Sequence, residues 1–156
     1  MSIKVTIREL ITALPVLEAM NSARLPAFGA IKVAQLTEII VEAVEKADKL
    51  RMDKLRELAE VDENGRVVTR EYTDDTGSVK HIAKFKTEQG EQEMSWFWEG
   101  LQDNEVELPF TLKIKHFEPS PAHKGSGYLL SPKECSMLGR LLYRGDVIED
   151  ENEGQG

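Results

Sequence analysis

Residues 26–60 read PAFGAIKVAQLTEIIVEAVEKADKLRMDKLRELAE, and this stretch decides the fold. Pro26 suits a first helical position, where a missing N–H costs nothing. From there to Glu60 only Gly29, near the start, interrupts the helical pattern. At roughly 100° per residue, Val33, Leu36, Ile39, Ile40, Ala43, Val44, Ala47, Leu50, Leu55 and Leu58 share an arc of somewhat less than half the circumference. Most charges from Glu38 to Glu60 fall outside that arc. Glu42 with Lys46 and Glu45 with Lys49 have the favourable i, i+4 orientation, worth about 0.2–0.5 kcal/mol each, and support a solvated face. One long amphipathic helix is therefore expected.

On the N-terminal side, Thr6 and Glu9 have capping-box spacing, so a helix is expected to start there. Ile7, Leu10, Ile11, Leu14 and Leu17 form its apolar face, with Pro15 kinking or shortening it and Asn21-Ser22 as the break. An antiparallel hairpin with this shorter helix covers half of the long one. The exposed remainder calls for the rest of the chain or another subunit.

On the C-terminal side, Asp62-Glu63-Asn64-Gly65 is a turn. Arg66–Thr73 and Ser78–Lys86 flank Asp74-Asp75-Thr76-Gly77 and read as a β-hairpin. From about Gln89 to Gln102 the pattern is helical, with Met94, Phe97, Trp98 and Leu101 as a core stripe. Val106, Leu108, Phe110, Leu112 and Ile114 alternate with polar residues or Pro109 and predict a half-buried strand, Pro109 marking an edge. Glu118–Gly127 is a loop. Ser131-Pro132-Lys133-Glu134 combines N-cap, first-position proline and capping-box glutamate, and Leu138, Leu141 and Leu142 face inward until Gly145 ends the helix. The expected class is α+β: an N-terminal helical hairpin with one long helix, a small antiparallel β-sheet or hairpin and a capped C-terminal helix. One domain over residues 1–145 is expected, followed by a flexible acidic tail, 146–156.

The 156 residues, 40% hydrophobic and 31% charged with mean hydropathy −0.39, have a soluble globular composition. No apolar run is long and uncharged enough to span a membrane. Met1-Ser2-Ile3-Lys4-Val5 is not a signal region, so a cytoplasmic location is expected. Bases and acids balance up to residue 86, and the whole net charge of −8 falls after it. That distribution disfavours nucleic-acid backbone and anionic lipid and favours a protein with a basic surface.

Catalytic patterns are sparse. Cys135, at the fourth position of its helix, reads as a structural thiol. His116 and His123 flank a loop and could pair with Glu118, but a loop histidine is ordinarily a solvated surface residue. No serine motif, phosphate-cradling glycine loop or HExxH accompanies them. With His81, they form no metal framework. No catalytic residue, metal or cofactor is assigned.

The carboxylates are a fuller signal. Glu88, Glu91, Glu93, Glu99, Asp103, Glu105 and Glu107 occur with no Lys or Arg between Thr87 and Leu112. Their spacing matches no calcium loop. A solvated face and the recognition of a basic partner are the two readings. Trp96 points about 160° away from the core stripe, at roughly 100° per residue. There it lies among Gln92, Glu93, Glu99 and Asp103, as a candidate protein-binding anchor. The alternative is that the 66–86 hairpin folds over Trp96 and buries it.

Val5-Thr6-Ile7-Arg8-Glu9-Leu10 opening a helix, Leu25-Pro26-Ala27 opening a long charged one, Asn104-Glu105-Val106-Glu107-Leu108-Pro109, and Leu130-Ser131-Pro132 opening a short leucine-rich helix together resemble small uncharacterised proteins encoded in tailed-bacteriophage genomes. The resemblance covers most of the chain discontinuously, leaving out the hairpin and the 118–127 loop. It rests on caps and core faces, and brings no active-site residue with it. It implies a viral gene product in the host bacterial cytoplasm: an assembly or virion-associated factor, or a host-directed inhibitor of a bacterial protein. A homo-oligomer through the long helix fits the same pattern. The readings from other classes are a small hydrolase or transferase using the loop histidines or carboxylates, and an acidic nucleic-acid mimic.

Overall fold

The computed structural model describes residues 2–119 and 125–143. His123, the expected stop at Gly145 and the expected acidic tail lie outside the described residues. The fold is α+β, with a long central helix in the sequence and a short capped helix near the C-terminus. The chain divides into two compact units, Met1–Val44 with Asp103–Gly156, and Glu45–Gln102.

In the first unit, β1 (Ile3–Thr6) leads directly into α1 (Ile7–Asn21). The expected capping box is formed, Glu9 N–H donating to Thr6 Oγ1 at 3.2 Å and Thr6 N–H to Glu9 Oε2 at 2.7 Å. α1 runs through the exposed Pro15 without ending there, and buries Ile7, Leu10, Ala13, Val16, Leu17 and Met20. α2 (Ala27–Leu58) starts one residue after Pro26. Its buried Thr37 hydroxyl accepts from Asn21 Nδ2 at 2.8 Å and donates to the Val33 carbonyl at 2.7 Å. α1 itself packs on α4 (Pro132–Leu138), which carries the second expected capping box, from Ser131 and Glu134.

Three expectations in this unit are corrected. The period-2 run 105–114 is not one strand. It divides into β4 (Glu105–Leu108), antiparallel to β1, and β5 (Leu112–Lys113), parallel to β6 (Leu142–Tyr143). Pro109, which has no amide to donate, falls in the interval between them. The C-terminal helix ends at Gly139, whose φ of +52° is open to glycine at low cost, and not at Gly145. His116 is not a solvated loop residue: it is 5% exposed, in a 3-10 turn over Ile114–His116. Its Nδ1 accepts from Lys113 N–H at 3.0 Å, and its ring lies 5.4 Å from that of Phe28. The same turn explains Gly29, because a Cβ there would sit 1.3 Å from the His116 carbonyl oxygen.

The second unit contains the last part of α2, the hairpin β2 (Thr69–Thr73) with β3 (Val79–Ala83), and α3 (Gly90–Gln102). The hairpin pairs Thr69 with Ala83 and Thr73 with Val79. The Asp74 carboxylate accepts from the amides of Thr76 and Ser78, and Gly77 takes a φ of +84°. Bridges Ala59–Phe85 and Val61–Val67 tie the base of the hairpin to the chain leaving α2. Leu50, expected within the inward arc of α2, is 50% exposed, whereas Leu55 and Leu58 are half-buried. Exposed acids here form i, i+3 pairs with bases of the same helix, Asp48–Arg51, Asp53–Arg56 and Lys54–Glu57.

Candidate functional site

α3 has the sequence GEQEMSWFWEGLQ, with Glu91 and Glu93 in its first turn, where carboxylates complement the helix dipole. The expected stripe is half-buried along its whole length. The Arg51 guanidinium lies 4.9 Å from the Trp98 ring centroid and Lys54 Nζ lies 5.7 Å from that of Phe97. The cationic heads of these bases thus lie over aromatic faces that the small unit does not enclose. Arg51, Met52, Leu55, Ile82, Phe85, Met94 and Trp98 border an open, mainly apolar cavity of about 430 Å³.

Trp98, then, is the tryptophan turned toward the hairpin. Trp96 is 64% exposed, so the alternative in which residues 66–86 cover it does not hold. Gln92, Glu93 and Glu99, placed four and three residues before Trp96 and three after, are also exposed. These positions adjoin Trp96 on the helix surface. Asp103 differs from the rest of the expected set. It belongs to the first unit, and Arg8 donates to its carboxylate there. The acids around Trp96 on α3 itself are Glu93 and Glu99.

Phase alone did not single out Gly100, four residues after Trp96. It lies within α3, exposed, and a Cβ built on it meets nothing within 4 Å. Among the described residues no packing constraint requires a glycine there, although glycine inside a helix costs about 0.5–1 kcal/mol relative to alanine. Its effect is to leave the turn beside Trp96 without a side chain.

The other sequence candidates do not converge. His81 is exposed on β3 opposite Glu71, Cys135 is half-buried in α4, and His116 is enclosed in the first unit. Among the described residues, no group of three or more His, Cys, Asp or Glu is placed to hold a metal ion. The displaced pKa values belong to structural contacts. Arg140 donates through Nε and Nη2 to Glu9 at 2.7 and 2.6 Å. That pairing, aided by Thr6, holds the Glu9 carboxyl down at about 2. The Thr76 hydroxyl lowers Asp74 in the hairpin turn. Tyr128 donates to Glu134, which raises the phenol and lowers the carboxyl.

Compared with protein-family models, with curated proteins and with solved structures, the chain finds no match.

Proposed function

We propose that this chain is a non-enzymatic protein-binding module that presents the Trp96 face of α3 to a partner with a basic surface. The observation that carries the reading is the exposed Trp96 ring between Glu93 and Glu99, on a helix whose opposite face is occupied by Trp98 and its neighbours. A large apolar ring within a charged rim is the usual anatomy of a binding hot spot. Glu88, Glu91, Glu93 and Glu99, with no base between Thr87 and Gln102, complement a basic protein and repel nucleic acid. With the resemblance to tailed-phage proteins, the reading extends to a phage factor in the bacterial cytoplasm, acting in particle assembly or on a host protein.

The test is affinity purification from infected bacteria on the immobilised chain, followed by titration of the recovered partner. Trp96→Ala is expected to weaken binding about tenfold or more while leaving the melting temperature unchanged, and added salt to slow association. Undiminished binding by the variant would refute this surface. Equal loss of folding and binding would mean that Trp96 serves the fold.

A further inference from the structure

Side chains on a helix lean toward its N-terminus, so the residue at i+4 ordinarily lies back over residue i. At Trp96 that residue is Gly100, and none of the described residues occupies the space a Cβ would enter. The side of the ring facing Gly100 is thus left without its usual intrahelical cover. Glu99, three residues after Trp96, and Glu93, three before it, put a carboxylate-bearing position on either side of Trp96 on the helix surface. An open aromatic face, a bare stretch of helix and flanking carboxylates offer three complementary features to one kind of side chain.

We propose that this notch receives an arginine side chain of the partner. The guanidinium would lie flat on the Trp96 indole, its stem along the bare turn at Gly100, and its N–H fork toward Glu99 or Glu93. Arginine suits the place better than lysine, because its planar, weakly hydrated cation stacks on aromatic faces and pairs with carboxylates through two bonds at once. A second copy of this chain is disfavoured as the occupant, since it would bring Glu93 and Glu99 against their own kind. The inference rests on the protein-binding reading above and specifies its anchor.

The probes are short blocked oligo-arginine and oligo-lysine peptides of equal length, titrated into the full chain. The indole N–H resonances of Trp96 and Trp98 serve as separate reporters. The expected result is a saturable shift confined to Trp96, with arginine binding about fivefold or more tighter than lysine. Gly100→Leu, whose side chain would fold back over the ring, should remove that preference without lowering the melting temperature. Equal affinities for the two peptides, both lost in Trp96→Ala, would overturn the arginine notch and leave the protein-binding surface standing. Binding indifferent to Trp96→Ala would overturn both. Concentration-dependent dimerisation abolished by Trp96→Ala would overturn the notch in favour of a second copy.

Discussion

The two units solve the problem of burial differently. In Met1–Val44 with Asp103–Gly156, Leu10, Leu17, Met20, Leu36, Ile40, Leu108, Leu112, Phe117, Leu138 and Leu141 are sealed from solvent. Each such side chain contributes about 1.5–3 kcal/mol by leaving water. In Glu45–Gln102, the fully buried apolar side chains among the described residues are Ala47 and Ala59. The larger groups, Phe85, Met94, Phe97 and Trp98, are only half-buried. A unit organised in this way leaves apolar surface at its boundary, where a partner can use it, whereas the first unit has a sealed core and also exposes Phe28, Ile31 and Leu129. What favours α3 as the place to seek binding is the acidic charge set around its exposed Trp96 ring.

The largest expected effect tests the contrast along α2 itself. Ile40 and Leu50 belong to one arc in sequence, but Ile40 is sealed and Leu50 is half exposed. Ile40→Asp should cost several kcal/mol, comparable with total stability, because an unpaired carboxylate would be enclosed. That variant is expected to show no cooperative melt by circular dichroism. Leu50→Asp should cost less than about 1 kcal/mol. A cooperative, near-normal melt for Ile40→Asp would show that the first unit is not closed around α2.

The next effect is smaller and lies within α3. Trp98→Ala removes a half-buried ring together with its contact to Arg51, and is expected to cost about 2 kcal/mol. Trp96→Ala removes an exposed ring and should stay within about 0.5 kcal/mol. Urea unfolding of both variants, with amide exchange in β2 and β3 as the local reporter, separates them. Equal costs would erase the distinction between the two tryptophans.

What was legible in the sequence is what local geometry determines. Thr6 with Glu9 and Ser131 with Glu134 cap their helices as spaced, since a capping box spans only four residues. The outward direction of Trp96 followed from helical phase alone. The misses are long-range. Gly29 resembled a simple interruption because its cause, the His116 carbonyl, is far along the chain. His116 resembled a solvated residue for the same reason, as burial depends on what packs over a turn. The alternation from Val106 to Ile114 was visible, but not that β1 and β6 would claim separate parts of it on either side of Pro109. At α3, the carboxylates and Trp96 were readable, whereas Asp103 is claimed by Arg8 across a sequence distance no spacing rule reaches.

The smallest effect concerns pH and the closed unit. Glu9 serves both the capping box of α1 and the bidentate pair with Arg140, and these bonds keep its carboxyl ionised down to about 2, against 4.5 ordinarily. The unfolded chain therefore takes up a proton at this residue at a higher pH than the folded one. The stabilisation is complete above pH 4.5 and is lost as pH falls toward 2. Because Glu9 and Arg140 are partly exposed, solvent screening makes the pair's contribution small. Glu9→Gln is the matched variant, since glutamine can still accept the Thr6 amide but carries no charge. It should melt a few degrees lower than wild type at neutral pH, and the difference should close as the pH is taken from 4.5 toward 2. A difference that persisted unchanged at pH 2 would show that it does not come from the charge of Glu9.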